Sequence, residues 1–151
     1  MIGLAADPIE PASLLAEFLQ SASGAGGIAS FTGIVRGLAN GQSVDKLTID
    51  FHERMTPLAL KVVAAEARHR FALSAIAIVH RVGEVGPGDP IVFVAAAAPH
   101  RRAAFDAVDY TMDRIKSDAP LWKCETREGT DHWIEARPSD REDLARWEEK
   151  L

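Results

Sequence analysis

One cysteine in 151 residues, Cys124, leaves no intrachain disulfide framework and fits a reducing compartment. No apolar run approaches the roughly eighteen residues that a membrane span needs. The opening "MIGLAADPIEP" has neither a basic n-region nor a long apolar segment, so no secretory signal is read and a cytoplasmic location is expected. The phosphate-cradling loops GxxxxGKS/T and GxGxxG are missing, as are HExxH and CxxC. These gaps speak against the common nucleotide-binding loops and a structural zinc site. A basic excess is lacking too: 17 Lys and Arg stand against 22 Asp and Glu, a net charge of −5. A general nucleic-acid binder would need the opposite balance, so any anionic ligand must be met by a local cluster of cations.

What is present is ordinary for a globular protein, with 47 % hydrophobic and 26 % charged residues in a length that suits one domain spanning 1–151. "PIEPASLLAEFLQSASGAGG" predicts a helix from Pro11 to about Gly24, with Leu14, Leu15, Phe18 and Leu19 on its apolar face. "GIASFTGIVR" predicts a strand ending at Arg36. After the loop "GLANGQS", "VDKLTIDFH" predicts a second strand with Val44, Leu47, Ile49 and Phe51 inward, and the loop length suits an antiparallel pair. "MTPLALKVVAAEARHRF" predicts a helix capped by Thr56, its stripe set by Met55, Leu58, Val62 and Phe71. Two buried strands follow around the turn "GPGD", and then a long helix with Phe105, Val108, Met112 and Ile115 as its stripe. Short strands "LWKCETRE" and "HWIEAR" turn at Gly129, and a polar terminal helix starts at Ser139 or Asp140. The order β, α, ββ, α, ββ, α, ββ, α predicts an α+β fold with a mixed, largely antiparallel sheet and packed helices.

Cations gather at the ends of these elements. Arg36 closes a strand, and "PHRR" opens a helix, where free backbone N–H groups suit an anion. Lys116 closes that helix beside its apolar stripe rather than opposite it. The side chain would run along apolar surface to the edge of a cleft, and Lys123 would follow just inside the next strand. Trp122 is placed to wall the same cleft. Crowded, partly desolvated cations lower a lysine's pKa, which makes it usable as acid, base or nucleophile. His80, in an apolar strand, reads as a core histidine, and Cys124 reads as a buried, inert thiol.

Taken in order, "FTGIVR", "HRVGEVGPGD", "IVFVAAAAPHRRAAFDA", "DRIKSDAPLWKCE" and "WIEAR" resemble the large, catalytic subunit family of molybdopterin synthase. The resemblance covers about Gly27 to Arg137. It implies an α+β fold sometimes described as an α/β hammerhead, with no metal or organic cofactor of its own. It implies a sulfurtransferase of molybdenum cofactor biosynthesis. Sulfur would arrive as a thiocarboxylate on the C-terminal Gly-Gly tail of a small ubiquitin-like partner and be installed on cyclic pyranopterin monophosphate (precursor Z) as the molybdopterin dithiolene. It also implies a homodimer within a heterotetramer.

Carried over by position, the resemblance makes Lys116 and Lys123 the catalytic residues. Ile34 and Val35, through their backbone, and Arg36 would line the substrate site. His100 and Arg101 would hold its phosphate or pterin side, and Glu125 and Arg137 would complete it. Cys124, between Lys123 and Glu125, is counted with the pocket although no family role attaches to it. Two other readings stay open. One is a non-catalytic adaptor that binds an extended peptide tail by strand addition. The other is a small RNA-binding domain, against which the acidic balance and an expected scarcity of exposed aromatics both count.

Overall fold

A computed structural model describes residues 1–148. The strands are β1 (Ile2–Ala5), β2 (Gly27–Ile34), β3 (Leu38–Ala39), β4 (Gln42–Phe51), β5 (Ala75–Arg81), β6 (Gly83–Val85), β7 (Pro90–Ala98), β8 (Leu121–Arg127) and β9 (Thr130–Ile134). The helices are α1 (Pro11–Ser21), α2 (Met55–Arg70), α3 (Arg101–Asp118) and α4 (Pro138–Ala145). Two sheets form. The first runs β1-β5-β7-β2, antiparallel except for the parallel β1–β5 pair. The second runs β3-β4-β8-β9, with β6 also on β4, and is antiparallel. The α+β expectation therefore holds.

β7 explains the first sheet. Its sequence "PIVFVAAAA" is apolar without alternation because both of its faces are covered. Val92, Val94, Ala96 and Ala98 pack into a core with α2 and α3, while Phe93, Ala95 and Ala97 face Phe18 of α1. A third cluster, Val35, Val44, Leu47, Ile49 and Val85, lies under the second sheet, and Ile91 and Leu121 pack against both it and the large core. In β4 the inward positions step from Val44 to Leu47, an odd interval that a register shift between Val44 and Lys46 accommodates. Two-residue turns close the hairpins, Asn40-Gly41 between β3 and β4 and Glu128-Gly129 between β8 and β9. All four of these residues have positive φ, which fits a type I′ turn.

Several expectations are corrected. β2 and β4 do not pair: β2 joins β7 and β4 joins β8, and "GLANGQS" itself contains the β3–β4 hairpin. Thr56 is not a cap but sits inside α2 and is buried. Its hydroxyl accepts from the His52 N–H and donates to the Pro120 carbonyl, tying α2 to the approach of β8. The buried side of α2 is Leu60, Val63, Ala64 and Ala67, and Met55, Leu58 and Val62 are exposed. Phe105, Leu19 and Phe51 also face solvent. On α3 the small residues Ala104 and Ala107 make the contact expected of the larger Phe105. The cap of α4 is Arg137, whose N–H donates to Asp140 at the third helical position. Exposed Phe31, Trp122 and Trp133 remove the argument that surface aromatics are scarce.

Trp147 anchors the segment that follows α4. It belongs to the large core and stacks edge-on against Phe71 and Tyr110, and its Nε1 donates to the buried Asp113 carboxylate at 2.7 Å. Arg146 reaches the same carboxylate at 2.7 Å. α4 has no buried residue of its own among those described. Its position therefore depends on this anchor.

Candidate functional site

A cavity of about 590 Å³ opens where the two sheets meet, against the C-terminal half of α3. Each wall has a local cause. β2 contributes its last residues at a bulge, where Gly33 pairs with Val92 and Ile34 with Pro90. A side chain at Gly33 would run into Val92 at 2.7 Å, so the close approach of strand to cavity floor requires glycine there. α3 contributes Met112, Ile115 and Lys116, β8 contributes Leu121, Lys123 and Glu125, and the start of α4 contributes its cap Arg137 and Asp140.

Of the expected site residues, the fold of one chain brings seven to this cavity: Ile34, Val35, Arg36, Lys116, Lys123, Glu125 and Arg137. It does not bring three. His100 and Arg101 lie exposed at the opposite end of α3 from Lys116, roughly 22 Å away by helical rise. Cys124 is buried on the other face of β8, because successive strand residues alternate. The same alternation sends Trp122 out to solvent, half exposed, instead of walling the cleft. The Val35 backbone, expected to face substrate, is already engaged: its N–H donates to the Asp89 carbonyl at 3.0 Å, and its carbonyl accepts from Gly88 at 2.8 Å. Val35 lines the cavity while its polar backbone holds the turn before β7.

Electrostatics distinguish the two lysines. Lys116 is half exposed, with its ammonium 3.6 Å from Asp140 Oδ1. Lys123 is largely withdrawn from solvent. Burial pushes its pKa below the ordinary lysine value, the Lys116 charge pushes the same way, and Asp140 opposes both. Glu125 lies 3.5 Å from the Arg127 guanidinium.

His80 has a second role that its apolar sequence context does not announce. It is buried, as expected, but it also lines the cavity. On β5 it shares parity with Ile76 and Ile78, so the alternation, followed to the strand's end, aims it at the α3 side. Burial first, and then the Lys123 charge, lower its pKa to about 4. Stability should follow. The unfolded chain takes up this proton near pH 6.5, the folded chain only near 4, so folding stability falls as pH drops through that window. The expected loss is up to about 3 kcal/mol. Urea melts at pH 7 and 4.5 test this, and His80→Gln should remove that part of the pH dependence.

Among the described residues no group of three or more His, Cys, Asp and Glu side chains is placed to hold a metal ion. No helix among them is long and apolar enough to cross a membrane. Fold and cavity together define an α+β protein with a cation-lined recess between two sheets. The family model described as "MoaE protein" matches residues 4–118. A molybdopterin synthase catalytic subunit from Caulobacter vibrioides is 41% identical over 150 residues, 99% of each chain. One from Salmonella typhimurium is 45% identical over 122 residues, 81% of each. The solved structure of molybdopterin cofactor biosynthesis protein E from Burkholderia multivorans superposes with a TM-score of 0.82 at 38% identity, covering 98% of this chain and 96% of that one. The chain belongs to the MoaE family.

Proposed function

We propose that this chain is the catalytic subunit of a molybdopterin synthase and works as a sulfurtransferase. The observation that carries this reading is the recess into which Arg36, Lys116, Lys123 and Arg137 converge on an otherwise acidic chain. Family membership supports an enzyme role in molybdopterin biosynthesis. The proposed substrate, cyclic pyranopterin monophosphate, and the proposed sulfur donor, a thiocarboxylate on the C-terminal tail of a small ubiquitin-like subunit, are both anions. Each charge-assisted hydrogen bond from the recess would contribute roughly 1.5–3 kcal/mol.

In the reaction, the thiocarboxylate sulfur attacks a pterin side-chain carbon, and a carbon–oxygen bond to the phosphate breaks. The product is an acyl-thio link between donor and pterin. Water then cleaves the acyl–sulfur bond, returning a carboxylate on the donor and leaving the sulfur on the pterin. Lys116 at the rim steers the incoming thiocarboxylate. Lys123 and Arg36 stabilise the departing phosphate oxygen and the oxyanion of the cleavage step. His100 and Arg101 lie too far along α3 to join the recess of their own chain. In the proposed homodimer the second copy supplies them. An adaptor that merely adds a peptide strand leaves the four converging cations without a role.

The test is Lys116→Ala with thiocarboxylated donor and precursor. Dithiolene formation should fall about a hundredfold, a modest loss that suits a steering group half exposed to solvent. Near-normal formation would rule the role out.

A further inference from the structure

We propose that His80 is the catalytic base of the second half-reaction, taking a proton at Nε2 from the water that cleaves the acyl-thio link. This rests on the sulfur-transfer reading above and adds a residue to it.

The geometry begins with the ring's fixed tautomer. His80 Nδ1 lies 2.7 Å from the Arg81 carbonyl oxygen. A carbonyl can only accept, so Nδ1 carries the proton and donates. Nε2 is left with the lone pair. The ring is 2 % exposed and lines the cavity, where Nε2 is the nitrogen left to meet a bound water. The carboxylates there are engaged or peripheral. Asp140 accepts from the Arg137 N–H and lies against Lys116, Glu125 lies against Arg127, and Glu135 is exposed beyond β9. His80 is the buried neutral base among them.

The charges lining the cavity with His80 set its state. Lys123 and Glu125 come from β8, Lys116 from α3, Arg36 from beyond β2, and Glu135, Arg137 and Asp140 from the segment around the start of α4. Burial disfavours the imidazolium most and the Lys123 charge adds to it, so the lone pair is free at neutral pH. That balance changes during the reaction. When water adds to the acyl carbon, an oxyanion develops next to Lys123 and offsets that charge's repulsion of a protonated ring. The proton is thus accepted in the transition state and not before it, the condition for a base to accelerate a reaction. One water proton goes to Nε2 and the hydroxyl oxygen goes to the acyl carbon. The carbon–sulfur bond breaks, sulfur leaves as a thiolate facing Lys123, and the ring releases its proton to solvent through the open cavity.

The experiment is a single turnover of thiocarboxylated small subunit and precursor, quenched in time and read by intact mass. For His80→Gln we expect the donor–pterin adduct to form at the wild-type rate and to decay about a hundredfold more slowly. A purely structural role would not separate formation from decay. Decay at the wild-type rate overturns the proposal, as does failure to form the adduct in a variant that melts like wild type. If His80→Gln does not fold, His80→Asn is judged by the same two rates. If the wild-type protein itself yields no dithiolene, the sulfur-transfer reading fails and this proposal falls with it.

Discussion

Replacing Lys123 with alanine should lower turnover about a thousandfold, the largest effect expected of any single substitution in the recess. Two features separate it from Lys116. It is largely withdrawn from water, so its field on a developing oxyanion is weakly screened. Its pKa is already lowered by burial and by Lys116, so it releases a proton more readily than a solvated lysine. Lys116, half exposed and beside Asp140, has its charge both screened and partly neutralised. Lys123→Arg separates the two contributions. A guanidinium keeps the positive charge but does not deprotonate in proteins, so precursor affinity should stay within a few-fold while turnover remains low. Calorimetric affinity beside single-turnover rates checks this. Full activity in Lys123→Arg would show that charge alone suffices.

The second large effect should come from a residue outside the cavity. Trp147→Ala should cost about 3–4 kcal/mol of stability, in the range for removing a buried aromatic. The indole is 4 % exposed, stacks on Phe71 and Tyr110, and donates to Asp113. Because α4 has no buried residue of its own, losing this anchor should also loosen Arg137 and Asp140, which α4 holds at the recess. Precursor affinity should fall together with the urea midpoint. Trp147→Phe keeps an aromatic ring and loses the hydrogen bond to the Asp113 carboxylate, so a loss of roughly 1.5–3 kcal/mol is expected. A wild-type midpoint in Trp147→Ala would refute the anchoring role.

How much of this is legible in the sequence depends on the range of the interactions involved. β7 is readable because its unbroken apolar run, bounded by the turn "GPGD" and by Pro99, suits a strand covered on both faces. The β8–β9 hairpin is readable from Gly129. The convergence of Lys116 and Lys123 is readable because a short turn joins a helix end to the start of the following strand. Partner choice between strands is not. β2 leaves its sequence neighbour β4 for β7, about sixty residues away, and local pattern carries no trace of that exchange. Helix faces mislead where large apolar residues outweigh alanines in the pattern. In α3 Ala104 and Ala107 make close contacts, in α2 Ala64 and Ala67 do so beside Leu60 and Val63, and Met55, Leu58 and Phe105 stay outside. Strand parity is the stronger signal. It separates Lys123 from Trp122 and Cys124, and it aims His80 at the cavity.

The two-sided burial of β7 carries a consequence for how this recess can change over evolutionary time. Val92 forms part of its floor, and Phe93, next in line, is wedged against the opposite layer. Sliding β7 by a single position would exchange every occupant of two interiors at once. The floor cannot drift by small adjustments of register. Altered ligand preference must therefore arise through point replacements of lining side chains, which leave the strands beneath them in place.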